Sequence, residues 1–220
     1  MERVEIYDDA DVKAFVGGYR PQWSLLDLQN PKTYGPLDFY DYYYEHKRQQ
    51  VEAMEHAQGV ILEVAEEFNR TFDRSYGLFE PYRLEDAEVA VVAANSTAGT
   101  AKVVVDQLRA EGLKAGLLQP RVFRPFPAKE LADALGHVKA VAVMDRSISF
   151  GAMDNAGPLF LELVAALTLH GVQVPMADYV YGLGGRDILP REIEQVYRDA
   201  LKMAETGQVE QMVTYLSVRE

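Results

Sequence analysis

Asp145 opens the stretch of this chain in which side chains capable of chemistry are most concentrated. The apolar run at residues 138–144 is typical of a buried strand, and the polar sequence DRSIS follows it, ending in Phe150 and Gly151. In sheets of parallel strands, ligands and partners bind beyond the carboxyl ends of the strands. Residues 145–151 are therefore predicted to form part of a functional site or an interface.

Two kinds of chemistry are considered for this stretch. Asp145 is placed like the phosphoacceptor aspartate of a receiver domain, but such a site needs an acidic pair after the first strand to hold magnesium. The sequence has Ala94 and Asn95 there, so phosphoryl transfer is disfavoured. Arg146 could pair with an anionic ligand or with a partner's carboxylate, or it could lie exposed without a role, and the sequence leaves these interpretations open.

Two further loops are predicted at the same edge of the sheet. The sequence YGLGGRD at residues 181–187 follows a strand, and its glycines allow the backbone to approach another surface closely. The sequence RVFRPFP at residues 121–127 adds two arginines and two phenylalanines. Because arginine and aromatic side chains are frequent anchors of interfaces, this arginine-bearing rim is typical of an interaction surface rather than a catalytic pocket.

The turn NSTAGT at residues 95–100 is a weaker candidate for ligand binding. Backbone amides and hydroxyls at a helix N-terminus can hold a phosphate or a carboxylate. The turn has one glycine, however, and lacks both the three glycines of a dinucleotide site and the Gly-Lys-Ser/Thr ending of a phosphate loop. Simple helix capping by Ser96 or Thr97 is the favoured interpretation.

Regular alternation of strand and helix after Pro81 must position these loops, and it predicts an α/β fold with a mostly parallel sheet in three α/β/α layers. Strands are predicted at residues 89–94, 114–119, 138–144 and 172–180. Helices are predicted at residues 101–111, 127–135, 159–169 and 190–205, with a terminal helix at 208–216.

The first part of the chain is predicted to be an irregular arm followed by a long helix. Residues 1–39 are rich in turn formers, and apolar spacings of three and four indicate a helix over residues 39–72 with Asp38 as its N-cap. The tyrosines at positions 40 and 42–44 fit an interface better than a ligand platform. Because the arm is also apolar, we expect it to lie against this chain or another.

Composition excludes several classes of function. The formal net charge of −12 opposes binding to nucleic acid or to an anionic membrane surface, and no apolar run is long enough to span a bilayer. The chain has no cysteine, so it cannot supply a thiol nucleophile or cysteine ligands for an iron–sulfur cluster. Its four histidines have no second ligand at a metal-binding spacing, so no metal site is predicted. A cytoplasmic location is expected.

Four motifs in order, STAGTAK, LQPRVFRPFP, VAVMDRSISFG and YGLGGRD, resemble the second domain of the alpha subunit of pyruvate:ferredoxin oxidoreductases. The sequences NPKTYGPLDFYDYY and HKRQQVEAMEHA resemble the segment that leaves the first domain of the same subunit. The resemblance covers essentially the whole chain, and the ordered set of motifs is far more specific than any one of them.

The resemblance implies a domain similar to the C-terminal domain of transketolase at residues 83–220. Residues 1–82 would be an arm and long helix that pack on a thiamine-binding domain or a partner. The family oxidatively decarboxylates pyruvate with coenzyme A, thiamine diphosphate and ferredoxin. Thiamine diphosphate, magnesium and iron–sulfur clusters would lie on partner domains, so no catalytic or cofactor-binding residue is assigned to this chain.

The resulting expectation is a noncatalytic docking component of a 2-oxoacid:ferredoxin oxidoreductase, inactive alone. Its partners would be the other subunits, with ferredoxin and coenzyme A reached through the complex. The alternative is a stand-alone α/β module that binds coenzyme A or a nucleotide. The candidate residues for an interface or a coenzyme A cleft are Arg121, Arg124, Arg146, Ser147, Ser149, Phe150, Gly184, Gly185, Arg186 and Asp187.

Overall fold

The chain folds into two units. The computed structural model describes residues 5–35 and 37–219, and its units are Met1–Tyr76 and Gly77–Glu220. The sequence placed this division after residue 82. It falls earlier because Phe79–Tyr82 is a strand of the second unit's sheet, paired with residues 117–120.

The first unit consists of two helices and irregular segments. Helix α1 is Asp9–Val16, ended by Gly17 at φ 72°, and helix α2 is Tyr43–Phe72. The predicted irregular arm therefore contains a helix, while the parts of that prediction on residues 1–4 and 36 lie outside the described residues. The prediction of Asp38 as the N-cap of α2 was wrong, because its carboxylate pairs instead with the His46 imidazole on the first turn.

No described residue of the first unit is buried, although many are apolar. Its largest contact group is aromatic, with ring centroids 4.3–6.3 Å apart among Tyr7, Phe15, Phe68, Phe72 and Tyr76. On α2, Val51 and Met54 are each 47% exposed. None of the described helices is long and apolar enough to cross a membrane.

The second unit contains a six-stranded sheet of order β1-β3-β2-β4-β5-β6. Every neighbouring pair is parallel except β1 with β3. The strands are β1 Phe79–Tyr82, β2 Val89–Ala93, β3 Ala115–Pro120, β4 Ala140–Asp145, β5 Met176–Val180 and β6 Val213–Tyr215. The helices are α3 Ser96–Ala110, α4 Ala128–Leu135, α5 Pro158–Leu169 and α6 Pro190–Thr206.

The helices cover both faces of this sheet. Alternate residues of β2 point to opposite faces, so Val91 packs with α3 and α6 while Val92 packs with α4 and α5. Strands β2, β4 and β5 are buried along their whole length, as expected for a parallel sheet between two helical layers. The predicted mostly parallel α/β/α fold is confirmed.

The two edges of the sheet differ from the prediction. Strand β1 was not predicted, and the terminal helix predicted at residues 208–216 was wrong. Gly207, at φ 68°, ends α6, and the β-branched pair Val213 and Thr214 then joins the sheet beside β5. Such short edge segments take their conformation from the neighbouring strand, because their own side chains carry little periodicity.

Candidate functional site

A cleft lies beyond the carboxyl ends of β2, β3, β4 and β5, where the sequence placed the site. Its volume is about 340 Å³. We call it the carboxyl-end cleft. The residues that determine its chemistry are Asn95, Thr97, Arg121, Asp145, Arg146, Ser147 and Tyr181.

Asp145 closes the floor of the carboxyl-end cleft and is only 4% exposed. Its Oδ1 accepts a hydrogen bond from the Leu159 amide at 3.2 Å, and its Oδ2 accepts one from the Phe160 amide at 2.9 Å. These amides belong to the first turn of α5, where no intrahelical acceptor exists. Asp145 therefore caps α5 from a neighbouring strand. Burial raises the pKa of the Asp145 carboxyl, and the two amides oppose that rise.

Gly157 makes this remote cap possible. It occupies the N-cap position of α5 and has no side chain with which to satisfy the first turn. A β-carbon at this position would overlap the Asp145 carboxyl group. The carboxylate thus fills the space that a side chain at residue 157 would need.

Asp178 is a second buried acid on the same face of the sheet. It lies in β5 with none of its surface exposed, and its Oδ2 accepts the Gly157 amide at 2.6 Å. Its Oδ1 has no hydrogen-bond partner. Burial raises the pKa of Asp178 to about 7, and the nearby charge of Asp145 adds to the rise. The sequence analysis did not single out this residue, although a lone acid in an otherwise apolar strand can indicate a buried carboxyl group.

Thr97 and Tyr181 link the N-terminus of α3 to the end of β5. Their hydroxyl oxygens are 2.7 Å apart, and both side chains are buried. The predicted capping of the helix by Ser96 or Thr97 was wrong, because α3 already begins at Ser96 and its first turn has no side-chain cap. Burial raises the pKa of Tyr181, and the Thr97 hydroxyl partly offsets this.

Arg146 is held at the mouth of the cleft by the loop after β5. Its Nε donates to the Gly182 carbonyl oxygen at 3.2 Å. Gly182 has φ +64°, and a β-carbon there would lie 2.9 Å from that same Nε. Within residues 5–35 and 37–219 no carboxylate forms a salt bridge with Arg146, so its charge is available to a ligand or a partner.

The cleft brings together three of the ten predicted site residues, Arg121, Arg146 and Ser147. Arg121 also pairs with the Glu80 carboxylate on β1. Because β3, β2 and β4 are neighbours, their carboxyl ends place these side chains around one opening.

The other seven predicted residues do not line this cleft. Arg124 pairs with Glu162 on α5, and Arg186 donates to the Ser217 carbonyl oxygen. Gly184 and Gly185 lie in a short 3-10 turn at Leu183–Gly185. Ser149, Phe150 and Asp187 lie on the loops after β4 and β5, where Phe150 is 88% exposed.

The donor groups of this chain do not fit an iron–sulfur cluster or a magnesium ion, two of the groups that the resemblance implies for the complex. The chain has no cysteine, the ligand on which iron–sulfur clusters chiefly depend. Among the described residues, no group of three or more histidine, aspartate or glutamate side chains could hold a metal ion such as the magnesium of thiamine diphosphate. What the cleft offers is the guanidinium groups of Arg121 and Arg146, hydroxyl groups and the uncapped first turn of α3.

The sheet order and the cleft define a mostly parallel three-layer α/β/α domain with two arginines at the cleft. Residues 87–193 match the family model described as pyruvate:ferredoxin oxidoreductase core domain II. Pyruvate synthase subunit PorA from Thermotoga maritima is 50% identical over 201 residues, which are 91% of this chain and 50% of that protein. The chain is thus similar to members of the pyruvate:ferredoxin oxidoreductase family over nearly its whole length, as the four motifs predicted. It spans about half the length of the curated relatives it matches.

Two solved structures are also similar to this chain. The first is a 2-oxoglutarate:ferredoxin oxidoreductase from Magnetococcus marinus with 2-oxoglutarate, coenzyme A and succinyl-CoA bound. It has a TM-score of 0.46 and 21% identity, over 70% of this chain and 23% of that one. The second is a split-gene transketolase in an inactive beta4 tetramer, with a TM-score of 0.48 and 16% identity, over 60% of this chain and 44% of that one.

Proposed function

We propose that this chain is a noncatalytic docking component of a 2-oxoacid:ferredoxin oxidoreductase, and of pyruvate:ferredoxin oxidoreductase in particular. The complex would convert pyruvate and coenzyme A to acetyl-CoA and carbon dioxide while ferredoxin takes up the electrons. The pyruvate synthase relative, 50% identical to this chain, supports the choice of 2-oxoacid.

The noncatalytic role is supported chiefly by the hydrogen bonds of the Asp145 carboxylate. Both of its carboxylate oxygens are hydrogen-bonded to the first turn of α5, so the acid at the cleft floor serves the fold. The nearby hydroxyl groups of Thr97 and Tyr181 are likewise bonded to each other. Arg146 remains as an outward-facing charge, which suits contact with a neighbouring domain better than proton transfer.

The first unit supports the docking role in a different way. It buries none of its described residues, yet its arm and α2 carry large apolar side chains. Leu26 and Leu28 are each 88% exposed, and Trp23 is 53% exposed. Removing such surface from water contributes roughly 25 cal/mol per Å², so covering it would be strongly favourable. We infer that the arm and α2 pack on the thiamine-binding domain or on a partner subunit.

The cofactors follow from this division of roles. Thiamine diphosphate, magnesium and iron–sulfur clusters would be held by partner domains, and the chain would meet coenzyme A and ferredoxin through the complex. We place the complex in the cytoplasm, where a chain without cysteine needs no disulfides.

Affinity isolation of the tagged chain from its native cells tests the proposal. We expect stoichiometric recovery of the other oxidoreductase subunits, identified by mass spectrometry, and pyruvate- and coenzyme-A-dependent viologen reduction by the recovered complex. The purified chain alone should show no turnover. Turnover by the chain alone would overturn the noncatalytic role, and recovery of the chain without those subunits would overturn docking.

A second candidate function is favoured by the cleft itself, namely binding of coenzyme A or a nucleotide. Arg146 lacks a carboxylate partner there, and the first turn of α3 has neither an acidic residue nor a side-chain cap. Calorimetry of the isolated chain with coenzyme A separates the two functions. Micromolar binding that Arg146→Ala abolishes and Arg124→Ala preserves would favour the binding module, because Arg124 lies outside the cleft. Absence of binding would favour docking.

A further inference from the structure

Two buried aspartates on neighbouring strands hold the N-terminus of α5. Asp145 of β4 accepts the amides of Leu159 and Phe160, and Asp178 of β5 accepts the amide of Gly157. In the register of the two strands, residue 143 faces residue 178 and residue 145 faces residue 180, so the two acids are diagonal neighbours on one face. Three backbone amides at the start of α5 thus donate to two carboxyl groups.

Asp178 has an environment that disfavours its charged form. None of its surface is exposed, and among the described residues Oδ1 has no hydrogen-bond partner, so a negative charge on it would be poorly solvated. The side chains packed on this face from α5 and β6, including Phe160, Leu163 and Val213, are apolar. The ionisable group whose charge acts on Asp178 is Asp145, which has the same sign.

The loop between β4 and α5 is fastened at both ends. Asp145 is the last residue of β4, and Gly157 is the residue before α5. Within the loop, the Ser149 amide donates to the Ala156 carbonyl oxygen at 3.2 Å, and the Gly151 amide donates to Asn155 Oδ1 at 3.0 Å. The loop is therefore bonded to itself. Arg146 at its beginning is held by the Gly182 carbonyl oxygen, and the two acids hold its other end at Gly157 and the first turn of α5.

We propose that Asp178 and Asp145 form a proton-linked clasp, closed when Asp178 carries a proton and loosened when that proton is lost. The loosened state releases the first turn of α5 together with the loop at residues 146–157. That loop carries Arg146 and Ser147 of the carboxyl-end cleft, so the protonation state of Asp178 would control how tightly these two side chains are held at the cleft. The clasp is independent of the docking role, since it concerns only the attachment of this chain's own loop.

The expected size of the effect follows from linkage. The pKa of Asp178 is raised from 3.8 to about 7 in the closed clasp, and exposure to water in the loosened state would return it toward its ordinary value. Opening should therefore increase about tenfold between pH 6 and pH 8, because the closed state retains its proton only at the lower pH.

Hydrogen exchange of the full chain, followed by NMR, tests the clasp. After correction for intrinsic exchange rates, the amides of Gly157, Leu159 and Phe160 should lose about tenfold in protection between pH 6 and pH 8. Asp178→Asn, which cannot ionise, should abolish this pH dependence. Asp133→Asn is the matched control, because Asp133 is an exposed acid paired with Lys129 on α4, and it should leave the dependence intact.

A second measurement on the wild-type chain does not depend on the folding of a variant. The carboxyl carbon of Asp178, observed by NMR, should titrate near pH 7, whereas exposed aspartates titrate near pH 4. A titration midpoint below pH 5 would overturn the proposal. Protection of the three amides that is independent of pH, or that keeps its pH dependence in Asp178→Asn, would overturn it equally.

Discussion

Asp145 and Gly157 lie against each other so closely that the carboxyl group of one occupies the space where the other would carry a β-carbon. They are the two ends of the loop between β4 and α5. The contact allows an acid on a strand to cap a helix that begins thirteen residues later along the chain, a role that a residue at the N-cap itself normally has. The absence of a side chain at residue 157 is therefore a structural requirement.

Gly157→Ala should reduce the free energy of unfolding by about 3 kcal/mol, because the new methyl group must displace the Asp145 carboxyl and weaken the cap of α5. Urea denaturation measures the change. Gly77→Ala is a matched control in the same unit, since a β-carbon there would meet only the Phe79 carbonyl oxygen at an ordinary 3.7 Å. Equal stability of the two variants would contradict the role assigned to Gly157.

Thr97→Val and Tyr181→Phe should each destabilise the chain by about 1 kcal/mol, because each removes one of the two hydroxyl groups and leaves the other buried without that hydrogen-bond partner. The double variant should cost less than the sum of the single variants, by about 1 kcal/mol of coupling. A double-mutant cycle from urea denaturation checks this. Strict additivity would mean that the 2.7 Å contact contributes nothing to stability.

Arg146→Glu should weaken assembly with the partner subunits by at least about tenfold, since it replaces a charge without a carboxylate partner at the cleft by one of opposite sign. Surface plasmon resonance with the isolated partner complex provides the measurement. Lys139→Glu makes the same change of charge before β4, at the opposite edge of the sheet, where Lys139 pairs with Glu88. Assembly that is equally weakened by both variants would point to net charge alone.

Stability should fall as pH rises from about 4 to about 7, through the contribution of Asp178. Its pKa is raised in the folded chain, from 3.8 to about 7, so folding favours the protonated form. Asp178 contributes its full stabilisation when the pH is below its pKa in the unfolded chain, and this stabilisation is lost as the pH rises through its pKa in the folded chain. The total contribution to the free energy of unfolding is about 4 kcal/mol for a single group. Chemical denaturation at a series of pH values should show the slope in the wild-type chain.

The matched comparison for this pH dependence is Asp178→Asn, whose stability should lack the part of the slope that Asp178 contributes. The pKa of Asp145 is also raised, so Asp145 acts in the same sense as Asp178, whereas carboxylates paired with a cation act in the opposite sense. The Lys139 ammonium beside Glu88 lowers the pKa of that carboxyl, so its contribution disappears in acid. The difference between wild type and variant isolates Asp178, and a difference that does not change between pH 4 and pH 8 would contradict the prediction.

Much of the second unit was predictable from short-range patterns. The apolar runs that became β2 and β4, and the helices that end near Gly112 and Gly171, were recognised because each carries its own periodicity and its own end signal. The predicted arrangement of arginines was only partly realised. Arg121 and Arg146 meet at the cleft, whereas Arg124 and Arg186 are engaged by groups elsewhere in the chain.

The amino-acid sequence by itself determined the parallel α/β class, the absence of cysteine chemistry and the edge of the sheet where polar side chains gather. Those properties depend on composition and local spacing. Only the tertiary structure decided that Asp145 caps α5 and that Asp178 is buried with one oxygen unpaired. A hydrogen bond between strand and helix depends on packing across the sheet. The raised pKa of Asp178 comes chiefly from burial, so neither property is visible in a linear pattern. Asp145 was predicted as part of a polar rim, and the structure shows that it is buried at the cleft and caps the first turn of α5.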